Sequence, residues 1–198
     1  MYLPHKMVKL LITIGFICIT SSVNAAWTLN NQASRLSFIS IKKDSVAEVH
    51  KFTHLSGSVD DAGKVEVMIQ LASVDTAVPI RDERMREILF QTNVFPTANV
   101  TAKVDPALLS GLTVGQVHEG DVEFTLSLHG QEKTVKASVS VVKLEDGGLL
   151  VSSIQPIIIS AADFQLSGGV EELRKIAGLP SISTAVPVNL ALRFAAAN

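Results

Sequence analysis

The sequence predicts an all-β chain: an antiparallel barrel of about eight strands with two short helices, one inserted mid-chain over about residues 79–90 and one near the C-terminus over about 168–177. Three observations carry this. Apolar and polar residues alternate with period two in long runs, clearest over 65–71, 122–128, 135–141 and 182–194, the mark of a strand with one buried face. The runs follow one another closely and are separated by turn signals, so neighbours in sequence become neighbours in the sheet. Helical spacing of apolar residues is confined to two short stretches. A long sheet with one apolar side must close on itself or pack on a second sheet, and closure into an up-and-down barrel removes the exposed edges. A β-sandwich is the alternative on pattern alone.

The chain opens with the marks of a secretory signal peptide over residues 1–25. Lys6 and Lys9 give a positive start, Leu10 to Ile19 an apolar run, and Val23-Asn24-Ala25 a small-residue cleavage pattern. The apolar run is too short to span a bilayer, which needs roughly twenty residues. The single cysteine, Cys18, sits inside that run, so the mature chain would use neither disulfides nor thiolate chemistry. Lys6 and Lys9 leave with the signal and no acidic residue does, which moves the net charge from −2 to −4. A mildly acidic chain with no basic run is a poor candidate for nucleic acid and has no polybasic stripe for anionic lipid. Residues 26–198 suit one domain with a real core.

The mature part begins at Trp27. Leu36 and Phe38 share one face of the first clear strand. Val46 to Val59 is extended, but its facing is ambiguous: Phe52 shares parity with His50 and His54, while Val49 and Leu55 point the other way. A twist or bulge near Gly57 would reconcile them. Asp60-Asp-Ala-Gly63 turns into the strand of Val65, Val67, Ile69 and Leu71. The first helix follows. Pro79 suits a helix start, Asp82 and Glu83 complement the positive end of its dipole, and Met85, Ile88 and Leu89 make its apolar stripe. Phe95-Pro96 closes the segment.

Val100, Ala102 and Val104 form a shorter strand, and 111–120 is loop-rich. Val122, Phe124, Leu126 and Leu128 alternate strongly. His129-Gly130-Gln131 turns them into Val135, Ala137, Val139 and Val141. Asp146-Gly147-Gly148 is a further hairpin signal. Pro156 predicts an edge, bulge or kink in 149–159. Val170, Leu173 and Ile176 predict the second helix, with Gly178 as its stop. Val186, Val188, Leu190, Leu192 and Phe194 then share one face of the last strand.

Reactive constellations are absent. There is no Gly-x-Ser-x-Gly elbow, P-loop or dinucleotide fingerprint. His50 and His54 lie in a strand pattern, where four residues at ~3.3 Å each separate them by ~13 Å, too far to share a metal. They read as partly exposed barrel residues. Asp82 and Glu83 read as helix-start residues rather than a catalytic carboxylate pair. Arg81 pairs with an acidic neighbour or with an anionic head group, and the structural pair is the favoured reading. What the chain offers is apolar lining. Small barrels either fill their interior or keep a cavity for one ligand. Large and small inward residues alternate, Phe124 and Leu126 against Ala102 and Ala137, which fits a tunnel and a packed core equally well.

The mid-chain segment also carries a resemblance. Ser73-Val-Asp-Thr76, Arg81-Asp-Glu-Arg-Met85, Phe90 and Phe95-Pro96 resemble the signature of the YceI-like family, secreted lipocalin-like proteins that bind polyisoprenoid lipids. Lys51-Phe52 with Ser56-Gly57, Leu126-Ser-Leu-His-Gly130 with Lys133 and Val135, Asp163-Phe164, and Val186-Pro-Val188 to Phe194 extend the match over essentially all of the chain after the signal. The resemblance implies a lipocalin-like barrel and favours the tunnel. The candidate lining is then Phe38, Phe52, Val67, Ile69, Met85, Leu89, Val100, Phe124, Leu126, Leu128, Ala137, Val139, Phe164, Val188 and Leu190, with Arg81 as the candidate head-group contact. The implied function is a periplasmic or secreted binding protein that holds an isoprenoid lipid, such as a polyprenyl phosphate or a quinone-type tail. It would not be an enzyme and would need no metal or other cofactor. The alternatives are an enzyme acting on an isoprenoid or quinone substrate, or a filled-barrel adaptor for a membrane redox complex. A membrane redox partner and a dimer stay open, and the mature chain shows no integral membrane span.

Overall fold

In the computed structural model of the chain, which describes residues 25–197, the alternating runs become one closed antiparallel sheet. The predicted signal segment, but for Ala25, lies outside the described residues. The strands are β1 (Ala25–Leu29), β2 (Arg35–Lys42), β3 (Val46–Phe52), β4 (Leu55–Asp60), β5 (Lys64–Gln70), β6 (Val74–Asp75), β7 (Thr97–Lys103), β8 (Val117–Leu128), β9 (Gln131–Lys143), β10 (Leu149–Ser153), β11 (Ile157–Ser160) and β12 (Ala185–Ala196). The helices are α1 (Pro79–Arg84), α2 (Pro106–Gly111) and α3 (Ser167–Ile176).

The pairings reduce these strands to eight staves. β1 and β2 lie end to end along one edge of β12, and β10 and β11 along its other edge. β3 pairs with β2 while β4 pairs with β1, so β3 and β4 are two halves of one stave. β5 and β6 are likewise halves, joined by the 3-10 turn Leu71–Ser73. Around the barrel the staves run in chain order, through β7, β8 and β9, and β1–β12 pairing closes the ring. Closure follows from the alternation: on β5, Val67 and Ile69 are buried while Lys64, Glu66, Met68 and Gln70 are exposed.

The facing of the second stave is settled at Thr53–His54 rather than near Gly57. The chain leaves the ladder there, and side chains hold the break. Asn31 Oδ1 accepts from Leu55 N (2.7 Å) and Asn31 Nδ2 donates to the Thr53 carbonyl (2.9 Å). Ser73 Oγ accepts from the N–H groups of Thr53 (3.2 Å) and His54 (3.1 Å). Skipping two residues lets His50 and Phe52 face inward above the break and Leu55 and Val59 below it. His50 is therefore buried, not the half-exposed residue the pattern suggested, whereas His54 is exposed. Gly57 is needed for close approach instead: a Cβ there would stand 2.5 Å from the Glu66 carbonyl oxygen.

The mid-chain helix starts at Pro79 as expected, but from Met85 to Leu89 it widens to π geometry, with Phe90 N donating to the Met85 carbonyl (2.9 Å). The sequence reading overlooked α2, although its signals are plain. Asp105 caps it, accepting from Ala107 N (2.8 Å), and Pro106 occupies its first turn. The α1–π segment and α3 cover one end of the barrel, where a Cβ on Gly169 would meet the Leu89 Cα at 2.9 Å. α2 lies against the other end with Leu109 buried. No helix among the described residues is long and apolar enough to cross a membrane.

Candidate functional site

Inward side chains do not fill the barrel. An upper chamber of about 410 Å³ lies under α1 and α3, and a lower one of about 180 Å³ reaches toward α2. Leu36, Ile69, Val100, Phe124, Ile157 and Leu190 border both, so the two meet at a common waist. The lower chamber is walled entirely by apolar residues, among them Val67, Ala137, Val139 and Leu149. The upper chamber is walled by Phe38, Phe52, Met85, Leu89, Leu126, Leu128 and Val188, with Val170 and Leu173 from α3. Phe38, Phe52 and Phe90 stack in tilted pairs, with ring centroids 5.4 and 5.8 Å apart. A space of this size and lining suits an elongated apolar ligand.

Polar groups gather at the upper end only. Glu48 accepts from Lys42 Nζ (2.8 Å) through one carboxylate oxygen and from Arg81 Nη1 (2.7 Å) through the other. Hydrogen bonding to Lys42, with Arg81 beside it, holds the Glu48 carboxyl below its ordinary pKa. Arg81 Nη2 also donates to the Thr76 carbonyl (2.7 Å), which ties the helix start to the strand. Asp82 accepts from Thr76 N (2.8 Å) and Thr76 Oγ1 (2.5 Å), so it serves the helix entry. Just inside the mouth, His50 Nε2 and Ser40 Oγ are 2.8 Å apart and the imidazole packs on Phe38. Two buried nitrogens facing no partner, His50 Nδ1 and Arg81 Nε, remain in this otherwise apolar surrounding. The arrangement can hold a long hydrocarbon by burial and leave its polar end at the mouth. Among the described residues no group of three or more His, Cys, Asp or Glu side chains is placed to hold a metal ion.

Comparison with known proteins places this geometry. The YceI-like domain model matches residues 27–194. The chain belongs to the YceI-like family. Among solved structures, this YceI-like domain is similar to a polyisoprenoid binding domain from Saccharophagus degradans implicated in plant cell wall breakdown, at 40% identity and a TM-score of 0.86 over 88% of this chain and 100% of that one. It shares the fold of Burkholderia cenocepacia BcnA (17% identity, TM-score 0.64, 83% of this chain and 98% of that one) and of the Campylobacter jejuni YCEI protein (18%, 0.51, 96% and 94%). No curated protein gives a significant match.

The YceI-like barrel brings nearly all the sequence-predicted lining together. Phe38, Phe52, Met85, Leu89, Leu126, Leu128 and Val188 face the upper chamber, Val67, Ala137 and Val139 the lower, and Ile69, Val100, Phe124 and Leu190 the waist. Phe164 is the exception and a correction: it is 1% exposed, packed in the 3-10 turn Ala161–Phe164, and on neither wall. Arg81 reaches the mouth and is paired with Glu48. Sequence reasoning missed Lys42, Glu48, Ser40 and His50 as mouth residues, because only folding brings β2, β3 and α1 together.

The buried imidazole makes stability depend on pH. Desolvation first, then the positive charges of Arg81 and Lys42, opposed by Glu48 and Asp82, hold the His50 pKa below its ordinary value. An unfolded histidine protonates near pH ~6.5. Below that the unfolded chain binds more protons than the folded one, so stability falls until the folded ring itself protonates. Above it this contribution is complete. Urea unfolding between about pH 7 and pH 5 should show the decline in the parent and a flatter profile in His50→Gln. Glu48 acts lower, its contribution being present above its ordinary value of ~4.5 and lost as pH falls through the depressed folded pKa. An unchanged slope in His50→Gln would remove the assignment to His50.

Proposed function

We propose that this YceI-like domain is a binding protein for an isoprenoid lipid, exported to the periplasm or the medium. The tail lies in the two chambers and the polar end, a phosphate or a quinone-type head, stays at the mouth beside Arg81 and Lys42. The observation that carries the reading is the pair of adjoining apolar chambers, which share wall residues and have polar groups at one end only. The named ligand class of the Saccharophagus degradans relative supports it. The mechanism is burial without bond chemistry: each methylene removed from water contributes about 0.8 kcal/mol. No metal or redox cofactor enters the account. The open chambers argue against the filled-barrel adaptor. Extraction and mass spectrometry of lipid carried by the purified protein tests the class. A polyisoprenoid is the expected result, and a protein that carries none and takes up none when offered would remove the reading.

A further inference from the structure

We infer that the barrel mouth is a docking surface for a lipid bilayer with an anionic component, resting on the lipid-binding reading above. Three cavity-wall residues are also exposed: Val78 (40%), Ile80 (52%) and Ala177. They mark the opening between the start of α1 and the end of α3, and half-buried Leu179 continues the apolar collar. Apolar residues left at the rim of an apolar cavity have no protein neighbour to cover them. Pressed into a bilayer they would join the chamber wall to the hydrocarbon without a water gap.

Charge points to the same occupant. The charged residues on the upper chamber wall are Lys42, Arg81 and Arg84 against the single carboxylate Glu48. This opening is positive on a chain whose net charge is −2. Arg84 makes no ion pair among the described residues and is free to meet a lipid phosphate. The acidic residues of α1, α3 and the β2–β3 turn, namely Asp44, Asp82, Glu83, Glu171 and Glu172, all lie off the cavity wall. These cations are scattered in sequence, so no basic run announces them; folding gathers them. Exchange also demands such a surface. A tail that gains free energy with every buried methylene loses it again in open water, so transfer is fast only where the mouth meets the membrane.

The test is flotation of the folded protein with vesicles of phosphatidylethanolamine and phosphatidylglycerol, and with vesicles of phosphatidylcholine alone. The parent should float with the first and less with the second. Val78→Asp combined with Ile80→Asp should cut the bound fraction about tenfold or more. Arg84→Gln should cut it about fivefold on the anionic vesicles only. Val117→Asp, at an exposed residue off both cavity walls, should float like the parent. A parent that stays in solution with both vesicles, or a Val78/Ile80 double variant that floats as well as the parent, overturns the inference and leaves a protein as the mouth's partner. Lipid analysis of the same parent sample separates the two claims. Carried lipid without flotation defeats the docking surface alone. Flotation without carried or accepted lipid defeats the binding reading.

Discussion

Leu126→Arg is expected to reduce retained lipid to background and to lower stability by on the order of 3 kcal/mol or more. Leu126 is buried on β8, on the upper chamber wall, opposite Val100 of β7. A guanidinium placed there finds no free carboxylate. The one carboxylate on the cavity wall, Glu48, is already held by Lys42 and Arg81. The new charge must stay unpaired or extend toward the mouth along the path of the tail, and either course competes with the ligand. Ser127→Arg, at the next residue and off both cavity walls, should change stability by no more than about 0.5 kcal/mol and leave lipid in place. Ala137→Phe fills the lower chamber without charge, so it should reduce uptake of long tails more than of short ones. The measurement is lipid per folded molecule, with circular dichroism confirming the fold. Folded Leu126→Arg protein carrying lipid like the parent would show that the tail does not lie in the upper chamber.

Phe164→Ala is expected to behave in the opposite way. Its ring is one of the most completely buried in the barrel and borders neither chamber. Truncation should cost about 3–5 kcal/mol, because the lost contacts and the cavity left behind add together. Lipid per folded molecule should stay near the parent value. Urea unfolding and lipid extraction on one sample decide it. A small stability loss with most of the lipid gone would return Phe164 to the ligand site, where the family resemblance had placed it.

These two residues show what the sequence could convey. The family resemblance set both Leu126 and Phe164 among the lining, and Leu126 alone also had its inward face from strand alternation. Alternation does not state whether the inside is filled, so wall and core residues separate only in three dimensions. The eight-stave ring was legible because period-two runs followed one another through plain turn signals. The break at Thr53–His54 was not, since Asn31 and Ser73 hold it from distant parts of the chain. The same holds for the mouth: Lys42, Glu48 and Arg81 form one ionic group, yet no local spacing links them. Helix α2 differs, because Asp105-Pro106 announced it locally and the loop-rich reading of the following residues obscured it. His50 was misjudged because its facing depended on that same distant break.

Native mass spectrometry of the purified protein decides whether the barrel holds a lipid. The expected spectrum shows a mass increment of one polyisoprenoid lipid per chain, restored after delipidation when such a lipid is offered. A bare chain mass that stays bare with the lipid in excess would contradict the lipid-binding reading.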